Sequence, residues 1–500
     1  MGKMILQREP ILYAKHKAFA YQNEAFISLR DLEYGAIFHE QGLGKTKIAI
    51  DIILYWLEKK IVDTAMIVVK KSLIQNWLLE LKEHWYIKPA LLNQNKQNNF
   101  FVFNGPSRVI LTNYEVVQAE EERMMLFLKA RDLGIVLDES TKIKNPDSNI
   151  SKSYFRLSPF FKRRIIMTGT PIANRPYDIW AQIYFLDNGK SLGNNYPEFR
   201  KKLDLSNKLS SDPEKQRIFE NEVSSIIQSI NKFTVRETKG SGVISLPEKV
   251  FQNIETDWEP IQYEKYDQVR NEMRIIILQE DLPTEDISEN YLKRLLRLIQ
   301  IASNPRTIDQ EYSNEPGKIP YLSNLIRDIV NKSEKAIVWS SFIKNIEYLY
   351  KLYAEYNPVR VHGKLDMILR NRSIERFKNE PNTKILFATP GAAKEGLTLT
   401  SANHVIFYDR GFSLDDYLQA QDRIHRISQK KTCYIYNLIM KNSIDEWIDI
   451  LLNAKHLAAQ LGQNDISIEY YRSNISYSYG DIIKEILNIE RGESHVSRPD

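Results

Sequence analysis

Short apolar runs alternate with helical segments in two separate parts of this 500-residue chain. The first part, from about Tyr34 to Gly169, contains the runs YGAIFHE, AMIVVK, RVILTNY, GIVLDE and RRIIMTG. The second part, from about Lys335 to Ile439, contains KAIVWSSF, PVRVHG, KILFATPG, HVIFYDR and TCYIYNLI. Continuous apolar runs joined by helices are typical of parallel sheets covered on both faces. The pattern therefore predicts an α/β fold with two parallel-sheet lobes.

Charged segments with helical apolar spacing separate the two sets of strands. NKLSSDPEKQRIFENEVSSIIQSI and NYLKRLLRLIQIA predict helical protrusions, and RETKGSGVISLPEKV, with its glycines and Pro247, predicts a linker. The predicted order is an N-terminal lobe over 1–235 with a helical protrusion at about 190–235, a linker over 236–250, a helical protrusion of the second lobe over 251–310, a C-terminal lobe over 311–460 and a tail over 461–500. The sequence of the polar tail indicates no role for it.

Composition places the whole chain in the globular class, with 43% hydrophobic and 27% charged residues. No apolar run is long enough to span a membrane, and the N-terminal residues mix charges among apolar positions, unlike a signal peptide. We therefore expect a cytoplasmic protein without a membrane partner. Cys433 is the only cysteine, which excludes an intrachain disulfide and a cysteine-based zinc site. The net charge of +5 permits a nucleic-acid partner but does not by itself indicate one.

A glycine-rich segment, QGLGKT, connects the strand YGAIFHE to an amphipathic helix. Such a loop directs backbone N–H groups and a helix N-terminus at phosphate oxygens. Lys45 would add a positive charge at the β- and γ-phosphates, and Thr46 could ligate Mg²⁺. The strict motif has a glycine five positions before Gly44, where this chain has His39. Taken alone, the segment is therefore also compatible with a glycine turn that merely connects a strand to a helix.

The apolar run GIVLDES ends in two carboxylates, Asp138 and Glu139. An aspartate at this place can ligate Mg²⁺ through water, and a glutamate can position an attacking water. A lone Asp-Glu pair is also common at a solvated strand end. A catalytic role is favoured because the pair follows the phosphate loop in the same lobe. A P-loop kinase would show the same two features.

The segment FSLDDYLQAQDRIHRISQKK in the second lobe predicts a helix, with Ser413 as its N-cap and Asp416 reaching back. On one continuous helix, Gln419, Arg423 and Arg426 would lie within roughly 60° of one another. Arginines supplied by a second domain can stabilise the charge that develops on a γ-phosphate. A solvated basic stripe would have the same spacing. The inference therefore depends on this segment lying in the lobe opposite GLGKT and DES.

The order and wording of these segments are similar to the Swi/Snf-like ATPases of helicase superfamily 2, over nearly the whole chain. The matching segments are Tyr21-Gln22, EQGLGKT, VVKKSLIQNW, ILTNYE, LDES, MTGTPIAN, VWSSF, His362-Gly363, EGLTLTSANHVIFYD and QAQDRIHRISQ. GTPIANRPYDIWAQIYFLD and QAQDRIHRISQ are highly specific to this family, whereas DES and GLGKT alone are not. The resemblance implies two RecA-like lobes that close on ATP and Mg²⁺ and translocate on double-stranded DNA.

The resemblance also implies roles for individual residues. Gln22 would recognise adenine, and Gln41, Gly42, Leu43, Gly44, Lys45 and Thr46 would hold the phosphates. Thr46 and Asp138 would hold Mg²⁺, and Lys45, Asp138, Glu139 and the arginine fingers Arg423 and Arg426 would be catalytic, with Gln419 supporting the fingers. Thr168, Gly169 and Thr170 would relay the nucleotide state, and Lys70, Ser72, Asn113, Gly363 and Thr389 would face the nucleic-acid backbone.

Several positions depart from the family pattern. Ser140 and Thr141 replace a small residue and a His, Ala393 and Lys394 replace a Gly pair, Thr398 replaces an Asn, Ser428 replaces a Gly, and Glu237 stands where a second linker Arg is common. None of these departures removes a phosphate, metal or finger residue. Together with the absence of flanking modules, they indicate the compact bacterial or phage branch, and hence a bacterial or phage-host cytoplasm.

The leading hypothesis is a DNA-dependent ATPase that moves on duplex DNA in remodelling, repair, recombination or replication, with or without an unidentified protein partner. Two alternatives stay open at this point: a strand-separating DNA or RNA helicase, and a noncatalytic nucleic-acid clamp. The intact phosphate, acidic and arginine residues argue against the clamp. A P-loop kinase would not need the second lobe.

Overall fold

The computed structural model describes residues 10–172, 175–203, 213–279, 289–393 and 398–474. It contains two parallel β-sheets flanked by helices. We call the residues up to Val235 lobe 1 and those from Lys249 onwards lobe 2. The predicted α/β fold with two parallel-sheet lobes is confirmed. Among the described residues, no helix combines the length and apolarity required to cross a bilayer.

Lobe 1 is built on a seven-stranded sheet in the order β3-β4-β2-β5-β6-β1-β7, in which every pairing is parallel. Its strands are β1 (Tyr34–Ile37), β2 (Thr64–Val69), β3 (Ala90–Leu91), β4 (Val109–Asn113), β5 (Leu133–Asp138), β6 (Arg163–Met167) and β7 (Thr234–Val235). Its helices are α1 (Ala20–Leu29), α2 (Lys45–Glu58), α3 (Ile74–His84), α4 (Lys96–Asn104), α5 (Tyr114–Ala119), α6 (Glu121–Ala130), α7 (Asn149–Leu157), α8 (Trp180–Asp187), α9 (Tyr196–Leu203) and α10 (Pro213–Ile230).

Lobe 2 is built on a six-stranded parallel sheet in the order β10-β11-β9-β12-β13-β8. Its strands are β8 (Lys249–Thr256), β9 (Ala336–Trp339), β10 (Val359–Val361), β11 (Ile385–Ala388), β12 (His404–Phe407) and β13 (Cys433–Met440). Its helices are α11 (Pro260–Gln279), α12 (Glu289–Ser303), α13 (Ile319–Asn331), α14 (Ile343–Leu352), α15 (Met367–Asn379), α16 (Pro390–Ala393), α17 (Leu414–Gln421), α18 (Ile444–Gly462) and α19 (Ile468–Asn474).

Short 3₁₀ turns connect several of these elements. They are Lys71–Leu73, Ser140–Ile143, Ser158–Phe160, Pro176–Ile179, Asn231–Phe233, Lys239–Ser241, Pro305–Thr307 and Ala354–Tyr356. Each of the ten predicted apolar runs contains a strand, and all of these strands except β10 lie inside a sheet, where burial of both faces leaves a continuous apolar signal.

The prediction of a helical protrusion over 251–310 is wrong at its start. Residues up to Thr256 belong to β8, which pairs with β13 along its whole length. As the edge strand of its sheet, β8 leaves Phe251, Gln252 and Asn253 exposed, so its sequence lacks a buried apolar run. The helical remainder of the segment is α11 and α12, which pack on each other. Residues 280–288 and, in the first protrusion, residues 204–212 lie outside the described residues.

The two lobes are joined by more than the linker. A continuous cluster of buried apolar side chains extends from one face of the lobe 1 sheet through α10 and α12 to α18. Helix α18 ends at Gly462, where a Cβ atom would lie 2.4 Å from Cδ1 of Ile172 in lobe 1. The described part of the predicted tail follows it, and Tyr471 is buried with its ring 6.1 Å from that of Phe219. Residues 475–500 of the predicted tail lie outside the described residues.

Candidate active site

The glycine-rich loop, residues 41–46, follows β1 and leads directly into α2, at the carboxyl end of the lobe 1 strands. Gly42 and Gly44 have φ angles of 87° and 69°, in the left-handed region that favours glycine. Gly44 is also approached closely, since a Cβ atom there would lie 2.2 Å from Nε2 of Gln22. The loop therefore presents backbone rather than side chains ahead of the first turn of α2.

Lys45 folds back over this loop. Its Nζ donates hydrogen bonds to the carbonyl oxygens of His39, at 2.9 Å, and Glu40, at 3.2 Å. Burial lowers the pKa of Lys45, against the opposing effect of Glu139 and Asp138. Thr46, partly buried in the first turn of α2, lies next to it. The lysine charge is thus held at the loop by backbone acceptors.

Asp138 ends β5, and its side chain is fixed from α3. Its Oδ2 accepts a hydrogen bond from Nε1 of Trp77 at 2.7 Å. Burial, assisted by the neighbouring Glu139, raises the pKa of Asp138 to about 6. Glu139 itself has a φ angle of 53°, a left-handed conformation that costs a non-glycine residue about 1–2 kcal/mol. Oε2 of Glu139 accepts a hydrogen bond from Oγ1 of Thr168 at 3.4 Å, which links the strand end to the next strand.

The segment Thr168–Thr170 follows β6 and touches both the loop and lobe 2. A Cβ atom on Gly169 would lie 2.6 Å from Cγ and 3.0 Å from the backbone N of Gln41. Oγ1 of Thr170 donates a hydrogen bond to Oδ1 of Asp415 in lobe 2 at 2.8 Å. Nε2 of Gln419 donates to the same oxygen at 2.7 Å. The structure therefore brings these sequence-predicted residues together around one carboxylate.

Sequence reasoning missed Asp415. It stands in the first turn of α17, where an acidic side chain is expected simply to favour the helix N-terminus. The Ser413 cap of this helix is present, since its hydroxyl accepts the N–H of Asp416. The tertiary contact with Thr170 places Asp415 in the site, and its local sequence does not indicate this.

The prediction of a single helix from Ser413 through Arg426 is wrong, because α17 ends at Gln421. The N–H of Leu399 donates a hydrogen bond to the carbonyl oxygen of Arg423, at 2.9 Å. The side-chain amide of Gln429 donates to the carbonyl oxygen of Ile424, at 3.1 Å. Carbonyls that a continuing helix would use are therefore bonded to other segments. We call residues 422–426 the finger turn.

The finger turn nevertheless brings Arg426 to the glycine-rich loop and buries Arg423, on which the charge of Glu139 acts. Cγ of Arg426 lies 3.4 Å from the position of a Cβ atom on Gly42. Its NH1 donates to Oγ1 of Thr398 at 2.8 Å, and its Nε to the carbonyl oxygen of Asp422 at 3.0 Å. Burial lowers the pKa of both Arg423 and Arg426, whereas the charge of Glu139 raises it. The two lobes therefore meet at this loop with opposite charges facing each other.

Lys239 of the linker contacts both halves of this site and was also missed. Its backbone N–H donates to Oε2 of Glu40, beside the glycine-rich loop, at 2.7 Å. Its Nζ donates to Oδ1 of Asp422 at 2.8 Å and to the carbonyl oxygen of His425 at 3.0 Å, both in the finger turn. Burial opposes ionisation of Asp422, but Lys239 and then Lys249 hold its pKa well below the usual range.

Comparison with known proteins identifies the family. The model of the SNF2-related domain matches residues 21–307, and the model of the helicase conserved C-terminal domain matches residues 317–428. The chain belongs to the SNF2-related family. The two matched regions contain the glycine-rich loop and the finger turn, respectively.

Relatives of this SNF2-related chain are similar over most of its length. An "Uncharacterized ATP-dependent helicase" of Mycoplasma pneumoniae is 28% identical over 437 residues, covering 85% of this chain and 40% of the relative. A "DNA repair and recombination protein RAD54-like" of Danio rerio is 27% identical over 471 residues, covering 83% of this chain and 62% of the relative. The chain thus spans less than two thirds of either relative.

A solved structure is also similar to the SNF2-related chain. It is described as "Sulfolobus solfataricus SWI2/SNF2 ATPase core in complex with dsDNA". It has 26% sequence identity to this chain and a TM-score of 0.41. The match covers 95% of this chain and 100% of the chain in the solved structure.

Two polar side chains, one in the glycine-rich loop and one just before it, have no hydrogen-bond partner among the residues that the structure describes. They are Gln41, through both atoms of its amide, and His39, through both ring nitrogens. Both side chains are buried, and burial lowers the pKa of His39 to about 4. Gln22, by contrast, is bonded, because its Oε1 accepts the N–H of Phe19 at 3.0 Å and its Nε2 donates to the carbonyl oxygen of Leu43 at 3.4 Å. Buried polar groups normally have partners, so His39 and Gln41 are available to a ligand.

Ser140, one of the departures from the family pattern, makes a contact of its own. Its hydroxyl donates to Oε1 of Gln182 at 2.7 Å, and Nε2 of Gln182 donates to the carbonyl oxygen of Pro171 at 2.8 Å. This connects the end of β5 to the residue that follows Thr170. The physical link between the acidic pair and the relay segment therefore exists without the histidine common in the family.

Four of the five residues predicted to face nucleic acid lie along neighbouring clefts. Ser72 and Asn113 of lobe 1 line a cleft of about 900 Å³ together with Arg370 of lobe 2. Gly363 and Thr389 line an adjoining pocket of about 510 Å³ that also includes Arg370. Arg370 thus lines both clefts.

Two of the predicted contact residues also have roles within lobe 1. Oδ1 of Asn113 accepts the N–H of Val116 at 3.0 Å, so this side chain caps α5. Lys70 stands at the start of the Lys71–Leu73 turn, and its charge acts on Asp138 by lowering that carboxyl pKa against the stronger effect of burial. Lys394, another departure from the pattern, lies outside the described residues, and Ala393 ends α16.

Proposed function

We propose that this chain hydrolyses ATP between its lobes and uses lobe closure to move along double-stranded DNA. The observation that carries the proposal is the contact of Arg426, from lobe 2, with Gly42 of the glycine-rich loop. An arginine that reaches a phosphate loop from another domain can complete a hydrolytic site only when the domains are closed. Hydrolysis and lobe position would therefore be coupled.

Each residue of this site has a distinct chemical task in the proposal. The N–H groups of the loop and the charge of Lys45 would bind the phosphates, and Glu139 would position the attacking water. Arg423 and Arg426 would stabilise the charge that develops on the transferred phosphoryl group. Gln22, Gln41 and His39 would contact the rest of the nucleotide.

The donor set suits Mg²⁺. Mg²⁺ prefers oxygen ligands and commonly uses one or two protein groups together with substrate phosphates. Asp138 and Thr46 would supply such oxygens, and no group of three or more His, Cys, Asp or Glu side chains suited to a metal occurs among the described residues. A divalent cation here would offset the charges of Asp138 and Glu139 and shield the phosphates.

The relay segment gives a route from nucleotide to lobe movement. Gly169 packs directly on Gln41, so a movement of the glycine-rich loop would move the segment. Thr170 donates a hydrogen bond to Asp415, which connects the segment to lobe 2. Gln419 binds the same carboxylate and precedes the finger turn on α17. Release of the hydrolysis products would weaken this set of contacts and allow the lobes to separate.

Duplex DNA is the proposed track. The relative named for DNA repair and recombination supports it, as do the two neighbouring clefts and the exposed Lys71 beside Ser72. Binding through phosphates would make affinity strongly dependent on salt and little dependent on base sequence. Remodelling, repair, recombination or replication would be the outcome, in a bacterial or phage-host cytoplasm, with any protein partner still to be identified.

The test is the ATPase rate of the wild type without nucleic acid and with duplex DNA, single-stranded DNA or RNA. Strong stimulation by duplex DNA, lost in both Glu139→Gln and Arg426→Ala, would support the proposal. Preferential stimulation by RNA or single strands would overturn the choice of track. Absence of hydrolysis with every polymer would favour a nucleic-acid clamp, and release of a strand from a partial duplex would favour a helicase.

A further inference from the structure

Three consecutive apolar residues face the solvent at the start of α15. Met367, Ile368 and Leu369 are 44%, 79% and 46% exposed, the longest such run among the residues that the structure describes. Leaving apolar area in water costs about 25 cal/mol per Å², and contiguous exposed apolar surface commonly marks a binding site. We call this run the apolar tip.

The apolar tip lies at the edge of the cleft between the lobes. Met367 and Arg370 line the cleft of about 900 Å³ from lobe 2, and Lys71 and Ser72 line it from lobe 1. Arg370 also lines the adjoining pocket that contains Gly363 and Thr389. A ligand that follows both clefts would therefore pass the apolar tip.

Hydrogen bonds fix the tip in place. Oδ1 of Asp366 accepts the N–H of Leu369 at 2.8 Å and caps α15. Arg370 donates from Nε to the carbonyl oxygen of Leu365 at 2.9 Å and from NH2 to that of Gly363 at 2.8 Å. The loop before the helix is thus tied to the helix itself, and the three side chains are presented in a set geometry.

The charges around the tip select the ligand. Lys364 and Arg372 flank it and are exposed, and Lys71 lines the other side of the cleft; the one acidic residue of this segment, Asp366, caps α15. A small apolar surface framed by cations matches a polyanion that also has an apolar groove. Duplex DNA has this combination, because its phosphates border a minor groove into which proteins insert Ile, Leu and Met side chains.

We infer that Met367, Ile368 and Leu369 form a wedge that packs into the minor groove of the DNA held between the lobes. The inference rests on the proposed function and adds to it a contact that phosphate binding does not supply. Apolar contact in a groove is insensitive to salt, whereas phosphate contacts release counterions and are salt-dependent. The two kinds of contact can therefore be separated by titration.

The experiment compares three variants with the wild type in duplex affinity over a range of salt concentrations, and in basal and DNA-stimulated ATPase rate. The first replaces Met367, Ile368 and Leu369 by Ser together, and the second is Lys71→Gln. The third, Leu352→Ser, is the matched control. Leu352 is a 41% exposed apolar residue at the end of α14, which packs on the opposite face of the same sheet from α15, and it lines neither cleft.

The wedge variant should bind duplex about tenfold more weakly, as expected for the loss of roughly 60 Å² of apolar contact, with an unchanged salt slope. Lys71→Gln should reduce the slope of log affinity against log salt by about one. Basal ATPase should stay at the wild-type rate in the wedge variant, and Leu352→Ser should match the wild type throughout. Ile368→Ser alone should show a smaller loss in the same direction.

Wild-type affinity and stimulation in the wedge variant would refute the wedge, as would a salt slope that falls as it does in Lys71→Gln. A wild-type protein that self-associates, and a wedge variant that does not while binding DNA normally, would assign the tip to protein contact instead. If the wild type itself neither binds duplex nor is stimulated by it, the proposed function fails, whatever the variants do.

Discussion

Thr170 of lobe 1 donates a hydrogen bond to Asp415 of lobe 2, with 2.8 Å between Oγ1 and Oδ1. The two residues are 245 positions apart along the chain, and both are buried. Asp415 also accepts from Gln419, so one carboxylate ties the relay segment to the helix that leads into the finger turn. This bond exists only while the lobes are together.

Thr170→Val removes the hydroxyl without changing the size of the side chain. A hydrogen bond to a charged group contributes about 1.5–3 kcal/mol, so DNA-stimulated turnover should fall at least about tenfold. Binding of ATP should change little, because Thr170 touches lobe 2 rather than the loop. Steady-state ATPase assays and nucleotide titration would measure both. Thr112→Val, which removes a buried hydroxyl bonded within lobe 1 to Leu92, is the control; an equal loss of turnover in it would contradict the prediction.

Lys239→Gln should reduce the turnover number because it breaks the ion pair that joins the linker to the finger turn. Removing one partner of a buried pair typically costs about 3–5 kcal/mol, and Lys239 and Asp422 are only 12% and 16% exposed. Lys249→Gln removes a longer contact with the same carboxylate, at 3.3 Å, from a residue within lobe 2. Measuring kcat and the unfolding temperature of both variants separates a loss of turnover from a loss of stability. If the two variants lost turnover equally, the connection that Lys239 makes between Glu40 and Asp422 would have no role in turnover.

Gly169→Ala should weaken nucleotide binding. The added Cβ would meet Cγ and the backbone N of Gln41 at 2.6 and 3.0 Å, and the backbone can yield only if the loop moves. Overpacking of this kind costs about 1–3 kcal/mol, so affinity for ATP should fall about fivefold or more. Gly391→Ala is the control, because nothing lies within 4 Å of its added Cβ. Unchanged affinity in Gly169→Ala would show that the loop is not held by this contact.

Glu334 should make lobe 2 sensitive to acid. Burial opposes its ionisation, but hydrogen bonds from His404 and Lys431 outweigh burial and lower the pKa of Glu334 to about 2. Because the folded-state pKa lies below the ordinary value, this stabilisation is complete above about pH 4.5 and is lost as the pH falls towards 2.

Urea unfolding at several pH values would test this. Wild type should exceed Glu334→Gln in free energy of unfolding at pH 7, and the difference should shrink below pH 4.5. Glu355→Gln, at an exposed position of the same lobe, should not show that pattern. A difference that stays constant down to pH 3 would contradict the assignment of the ion pair.

The sequence alone predicts the sheets well where strands are central. Val136 and Val405 lie in strands flanked on both sides, and such strands carry continuous apolar runs. It fails at the edge strand β8, whose exposed Phe251 and Gln252 leave no such run, but not at β10, the other edge strand of the same sheet, which keeps two of its three side chains buried. The local apolar pattern therefore predicts a strand where its side chains are buried.

In the candidate site too, some residues can be predicted from the local sequence and others cannot. Lys45 and Glu139 stand in short motifs whose spacing reflects one loop or one strand end, so local sequence predicts them. The end of α17 depends on Leu399 taking the carbonyl of Arg423, and local propensity cannot reveal that bond. Lys239 meets Asp422 across 183 positions, so nothing near Lys239 in the sequence indicates its place.

The linker is anchored by strand pairing at both ends, in β7 and in β8. Residues 236–248 between them could span at most roughly 45 Å when fully extended. When the lobes separate, the linker therefore keeps them close together. Arg426 remains at a local concentration on the order of millimolar around the glycine-rich loop. Reclosure is then an intramolecular event, whose rate does not depend on how many copies of the protein are present.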